Sequence, residues 1–358
     1  MSRYLKQHYQ ALEAYVPGEQ PRDMEYVKLN TNESPYPPAP AVVSAMTEEE
    51  VALLRLYSDP TGKTLKEKLA KLYNVKGENI FISNGSDDIL NFAFMAFGEG
   101  GAAFADITYG FYPVFAELHG IAYTQIPLRE DFSLDYSDFC NLNKLIVIAN
   151  PNAPTGMSIP VWQIEEILKS NPDNVVVIDE AYVDFGGETC YPLIDKYDNL
   201  LVVRTFSKSR CMAGARLGYA IGPEGLISDL LKIQYSTNPY NVNRMTMRLG
   251  EVTVDADGYY QEMCKKIIST RKKTAQDLTR LGFAVLPSQA NFLFASCPLI
   301  SGRELYEKLK ARGVLVRHFG KARISDFLRI TIGTDEQMQI LVDAIKDILG
   351  GTYENSKN

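Results

Sequence analysis

One tryptophan, three histidines and five cysteines are all that the 358 residues hold of these three types. The histidines, His8, His119 and His318, stand far apart, which argues against a multi-histidine metal centre and gives a histidine-based triad little support. Cys140, Cys190, Cys211, Cys264 and Cys297 form no C-x-x-C pair, so neither a disulfide framework nor a zinc site is indicated, and the chain reads as a reduced, cytoplasmic protein. Positive charge is also short, with 37 Lys+Arg against 44 Asp+Glu and a net charge of −7. A nucleic-acid binder would instead show a basic surface. No run approaches the ~20 apolar residues of a membrane helix; the strongest are short, such as Leu145 to Ala149 and Val175 to Ile178. The opening MSRYLKQHYQALEAYVPGEQ is polar and lacks the apolar core of a secretory signal.

What is present suits a large buried core: 46% hydrophobic and 23% charged residues describe a globular chain, and its length suggests two domains. Short apolar runs alternate with helix-like segments at Ile80 to Ser83, Ala102 to Ala105, Tyr123 to Leu128, Lys144 to Asn150, Val175 to Asp179, Leu200 to Thr205 and Leu217 to Ile221. That is the pattern of an α/β fold, a mostly parallel seven-stranded sheet between helices. Ligands bind such sheets beyond the carboxyl ends of the strands, where the segments from Asn84, Asn150, Asp179 and Ser207 converge. From about Asp255 a long charged helix ends at Gly282, and strand-like pieces at Ala284 to Leu286, Asn291 to Phe294, Val314 to Arg317 and Phe327 to Ile332 alternate with helices from about Gly302 to Arg312 and Glu336 to Leu349. We expect an N-terminal arm over 1–28, a large domain over 29–250 and a smaller α+β domain over 251–358, with the polar tail after Gly350 free to fray.

Four segments hold residues with chemistry. In Thr205-Phe206-Ser207-Lys208, a lysine where an apolar strand meets a small-residue loop is either a solvated surface group or a partly desolvated amine, nucleophilic toward an aldehyde. Asp179 and Glu180 close the apolar run Val175 to Ile178; they read as a helix cap or as an acid awaiting a cation such as a protonated pyridine. Asn84-Gly85-Ser86-Asp87-Asp88 precedes an apolar helix and reads as a plain capped start or as a phosphate cradle of backbone amides. Asn150-Pro151-Asn152-Ala153-Pro154-Thr155-Gly156 is a rigid polar turn.

Taken in order, LNTNESPYPPAP, LYSDPTG, NGSDD, TYGFY, NPNAPTG, VVVIDEAY, RTFSKSRCMAGARLGY and LRITIG resemble the blocks of the fold-type I pyridoxal phosphate enzymes, and within them the histidinol-phosphate aminotransferases, over nearly the whole chain. The resemblance implies that Lys208 forms the Schiff base with the cofactor and then moves the substrate proton. It implies that Asp179 holds the pyridine nitrogen protonated, that Tyr182 donates to the ring oxygen and that Tyr109 stacks on the ring. The cofactor phosphate would be held by the backbone amides of Gly85, Ser86 and Asp87, by Ser207, and by Arg216 as a buried anion partner. Tyr57 would reach the partner subunit's phosphate, which implies a homodimer. Arg329, with Arg317 and Asn32, would bind the small-molecule amino donor and 2-oxo acid, Arg329 taking the carboxylate and Arg317 the substrate phosphate.

Two positions depart from the family pattern. Where its block reads N-P-T-G with an asparagine on the ring oxygen, this chain has Ala153, and Asn152 one residue earlier is the candidate replacement. In the arm, Tyr15 precedes Pro17, where some members carry a substrate-phosphate tyrosine just after the proline. The implied reaction exchanges an amino group between histidinol phosphate and 2-oxoglutarate in histidine biosynthesis. Rivals are an aromatic amino acid aminotransferase, suggested by Tyr36, Phe111 and Tyr112, which read equally as packing; a lyase akin to threonine-phosphate decarboxylase; and a non-catalytic protein retaining the fold.

Overall fold

The computed structural model describes residues 2–355. Seven strands form one sheet in the order Ile80–Ser83, Gly218–Ile221, Leu200–Thr205, Val176–Asp179, Leu145–Ala149, Ala102–Ala105 and Tyr123–Ile126. Gly218–Ile221 runs antiparallel to both neighbours, and the remaining strands point one way. The expected mostly parallel, seven-stranded α/β sheet is therefore what forms.

The central runs are continuously apolar because both faces are covered, whereas the edge strand Tyr123–Ile126 is mostly exposed. Ile146, Ile148, Val176, Ile178, Leu200 and Val202 pack into one core layer, while Leu145, Val147, Ala149, Val177, Leu201 and Val203 pack into the other. This alternation decides where Asp179 points. Two residues beyond Val177, it emerges on the face covered by the helix Phe111–His119, and Glu180 leaves toward the opposite face, where it meets Arg204 at 2.7 Å.

The later part of the chain forms an antiparallel four-stranded sheet, ordered Arg317–His318, Phe327–Thr331, Phe292–Ser296 and Ala284–Val285. Its core includes Leu293, Leu328, Ile330 and Leu341, and Leu29 joins them. The run from Val314 to Arg317 does not make one strand. Val314–Leu315 pairs in parallel with Val27–Lys28, whereas Arg317–His318 pairs with Phe327–Thr331. The long helix spans Asp257–Arg280, followed by Gly282 in the left-handed region (φ +88°). The last helix runs Asp335–Asn355, past Gly350, where fraying was expected.

Candidate active site

At the carboxyl rim of the large sheet lies a cavity of about 370 Å³ lined by Lys208, Asp179, Tyr182, Tyr109, Ser207 and Arg216 among others. The sequence placed these on three separate segments. The parallel strands end together and bring them to one place.

Lys208 follows the strand Leu200–Thr205 in a tight turn: Ser207 N–H donates to Thr205 Oγ1 (3.0 Å), and Cys211 N–H to Lys208 O (3.3 Å). Lys208 Nζ donates to the Thr31 carbonyl at 3.2 Å and sits 5.8 Å from the centre of the Tyr182 ring. Burial and the nearby Arg329 guanidinium hold this amine down to about 8, against the pull of Asp87 and Glu33. Far more of it is therefore neutral near physiological pH than of an ordinary lysine, although the protonated form still predominates there, and the neutral fraction is what nucleophilic chemistry uses.

Asp179 is 5% exposed, and no cation forms an ion pair with it among the described residues. Tyr112 O–H donates to its Oδ2 (2.9 Å) and Ala181 N–H to its Oδ1 (3.1 Å). Burial pushes its carboxyl up to about 6, even though these two donors pull it down. Tyr182 accepts from Asn32 Nδ2 at 2.9 Å. Asn32 is itself pinned: its N–H donates to Thr331 Oγ1 (2.9 Å), and its carbonyl accepts from Asn291 Nδ2 (3.0 Å).

The opposite end of the cavity is a helix start. Gly85 caps the helix Ser86–Phe97 with φ +93° and no side chain caps it, leaving the amides of Ser86 and Asp87 without helical partners. Gly85 corrects an expectation: its N–H is spent on Ser83 O (2.8 Å) and cannot also donate to a phosphate. Its contribution is space, since a Cβ there would come within 2.7 Å of Arg216 Nη2. Arg216 donates to Ser207 Oγ (3.3 Å) and Asp87 Oδ2 (3.0 Å). It is not the buried anion partner expected; its side chain is 44% exposed, because it reaches across the cavity mouth. Tyr109 is oriented by its own O–H, which donates to Asp87 Oδ1 at 2.7 Å.

Arg317 and Arg329 are direct cross-strand partners, an arrangement that repels unless an anion lies between or beside them. Arg329 Nη2 donates to Asn30 O (2.9 Å), and its buried Nε has no partner. Arg317 donates to Val16 O (3.1 Å) and Pro17 O (3.2 Å), so it ties down the arm. The arm in turn lays Tyr15 on Phe111, with ring centres 4.1 Å apart, and brings Gln20 into the cavity wall.

Two candidates are not brought in. Asn152 does not replace the missing asparagine, because its amide is consumed by Ile107 O (3.0 Å), Thr155 Oγ1 (3.0 Å) and Thr108 Oγ1 (2.8 Å); the cavity wall at this point is Ala153. Tyr57 is 79% exposed and stacks on Tyr240 at 4.5 Å, away from the cavity of its own chain. Tyr112, Gln20 and Glu33 were not singled out from the sequence as site residues. A tyrosine inside an apolar helix reads as core, and only the register of the strand opposite reveals its partner.

A family profile described as aminotransferase class I and II matches residues 24–345. The chain belongs to that family. A histidinol-phosphate aminotransferase from Brachyspira hyodysenteriae is 50% identical over 98% of this chain and 99% of its own length. Another from a Marinomonas species is 49% identical over 97% of this chain and all of its own. Among solved structures, histidinol-phosphate aminotransferase from Sinorhizobium meliloti in complex with pyridoxal-5'-phosphate superposes with a TM-score of 0.88 at 23% identity, covering 98% of this chain and 99% of that one. That likeness establishes the fold-type I architecture.

The cavity fits pyridoxal phosphate on its own residues. A buried carboxylate without a cation suits a pyridinium N–H. Two free helix-start amides with Ser207 and Arg216 suit a phosphate, and a desolvated amine suits an aldehyde.

Proposed function

We propose that the protein is a pyridoxal phosphate-dependent aminotransferase exchanging an amino group between histidinol phosphate and 2-oxoglutarate in histidine biosynthesis. The observation that carries this reading is a desolvated Lys208 and a cation-free Asp179 lining one cavity, in a chain about half identical, end to end, to histidinol-phosphate aminotransferases.

When bound, the cofactor supplies a reactive aldehyde and a ring able to accept an electron pair. The chain supplies the rest. Asp179 keeps the ring nitrogen protonated and is itself held by Tyr112 and Ala181. Ser86 and Asp87 amides, Ser207 and Arg216 take the phosphate. Tyr109 covers the ring, and Tyr182, anchored by Asn32, presents its hydroxyl to the ring oxygen. Lys208 would hold the cofactor at its aldehyde, and its amine would carry the proton to and from the substrate carbon. Arg329 takes the carboxylate of glutamate or 2-oxoglutarate, and Arg317, beside it, helps neutralise the phosphate of histidinol phosphate while holding the arm.

The aromatic residues that favoured a rival are engaged elsewhere. Tyr112 is turned to Asp179, Phe111 lies under Tyr15, and Tyr36 packs against the other core. We further propose a division into an arm (1–28), a cofactor-binding domain (29–250) built on the seven-stranded sheet and a smaller domain (251–358) built on the four-stranded sheet. An exposed aromatic pair at Tyr57 and Tyr240 supports a homodimer in which Tyr57 reaches the neighbouring site. A cytoplasmic location accords with free, unpaired cysteines; no helix among the described residues is long and apolar enough to cross a membrane.

The test is glutamate formation by the cofactor-loaded enzyme from histidinol phosphate and 2-oxoglutarate, with Lys208→Ala as control. Turnover in the native protein and none in the variant is expected. Carbon dioxide release without need of 2-oxoglutarate would replace this reading with the lyase.

A further inference from the structure

Three arginines among the described residues are more than nine-tenths buried: Arg204, Arg210 and Arg271. Arg204 pairs with Glu180 (2.7 Å) and Asp184 (3.2 Å), and Arg210 pairs with Asp257. This is the ordinary condition for burying a guanidinium, whose desolvation costs several kcal/mol. Arg271 differs. It has no carboxylate; its Nη1 donates to the carbonyls of Phe185 (2.9 Å) and Ala290, and among the described residues nothing accepts from Nε or Nη2. Neither atom is sealed off, because Arg271 lines a second cleft.

That cleft, of about 1010 Å³, lies between the helix Asp257–Arg280 and residues 285–293. Its wall carries Arg271, Lys272 and Arg280 and no aspartate or glutamate, with Ile268, Leu286 and Leu293 among its apolar lining. Arg280 is balanced by Asp277 (2.8 Å), whereas Lys272 has no ion pair among the described residues. Burial alone holds the Arg271 guanidinium down to about 10, with no anion opposing the shift. Two neighbouring cations, one fork-shaped and buried, beside apolar surface are the complement of an amphipathic oxyanion.

We propose that this cleft is a second ligand site, separate from the active cavity, which takes an organic phosphate or carboxylate with an apolar body, its head group meeting Arg271 and Lys272. Occupancy is transmitted to the active site. The two carbonyls that Arg271 holds belong to Phe185, three residues beyond Tyr182, and to Ala290, next to Asn291. Asn291 Nδ2 donates to Asn32 O, and Asn32 Nδ2 donates to the hydroxyl oxygen of Tyr182. A head group that draws the guanidinium toward the cleft loosens both anchors of Tyr182 at once.

The test is calorimetric titration of the cofactor-loaded enzyme with phenyl phosphate and, separately, phenylacetate, in Arg329→Gln so that the active cavity binds the probe poorly. One equivalent should bind in Arg329→Gln, and adding Lys272→Glu should weaken it at least tenfold; the tighter probe names the head group. In the otherwise native enzyme the same probe should lower kcat, and Lys272→Glu should remove that effect while leaving turnover without probe unchanged. Arg271→Gln, if it folds, should weaken probe binding as Lys272→Glu does, but by releasing the carbonyls of Phe185 and Ala290 it should lower kcat even without probe. Binding by neither probe, or binding indifferent to Lys272→Glu, overturns the site; purely competitive inhibition identical in both proteins overturns the coupling.

Discussion

Tyr112 donates its hydroxyl to Asp179 Oδ2 at 2.9 Å from the middle of an apolar core layer. The pair follows from two periodicities: strand alternation turns Asp179 toward the helix Phe111–His119, and Tyr112 lies on that helix's buried face. A buried carboxylate that must stay ionised for the chemistry is thereby kept from drifting further toward its neutral form.

Tyr112→Phe removes one donor from that carboxylate. A hydrogen bond to a charged group is worth about 1.5–3 kcal/mol, or about 1–2 pKa units. The variant should fold, and the acid limb of its kcat/KM profile should move upward by that amount. An unmoved acid limb would make Tyr112 a packing residue.

Asp179→Asn should lose most of the catalytic rate while gaining stability without cofactor. The Asp179 carboxyl lies near 6 in the fold against 3.8 ordinarily, so the folded state binds more protons in that window and stability falls as pH rises through it. The cost reaches about 3 kcal/mol above pH 6. Thermal melts of the cofactor-free proteins should show the variant more stable at pH 7, with the gap closing toward pH 4.

Gly218→Ala tests the phosphate end. A Cβ there would stand 2.5 Å from both Gly85 C and Ser86 N, backbone that can move only by displacing the helix start. Overpacking of this kind costs about 1–3 kcal/mol, and cofactor affinity should fall at least tenfold, read by equilibrium dialysis.

Arg329→Gln should raise the KM for 2-oxoglutarate by about 10–100-fold, the loss of a charge-assisted contact of about 1.5–3 kcal/mol, with kcat changed less. Steady-state kinetics separates the two parameters.

The large sheet was legible because six of its seven strands are buried along their whole length and nearly all of these are written as apolar runs, the edge strand Tyr123–Ile126 being the exposed exception, and the residues after the parallel runs had to meet at one rim. What the sequence hid depends on partners distant along the chain. Arg317 faces the arm because Val314–Arg317 divides between two sheets, a choice made by Val27–Lys28 and by Phe327–Thr331. Asn152 looked free because the Thr108 loop that consumes its amide lies 44 residues away. Gly85 looked like a phosphate donor because its bond to Ser83 O is a local turn that leaves no mark on composition. Tyr112 read as packing or as an aromatic near the cleft, with nothing to mark it as a partner of Asp179.

The most direct test mixes the cofactor-loaded enzyme rapidly with histidinol phosphate or with phenylalanine, without 2-oxo acid, and follows the visible spectrum through a single turnover. The account requires fast conversion to the amino form of the cofactor by histidinol phosphate and slow or no conversion by phenylalanine. Faster conversion by phenylalanine, or none by either, would contradict it.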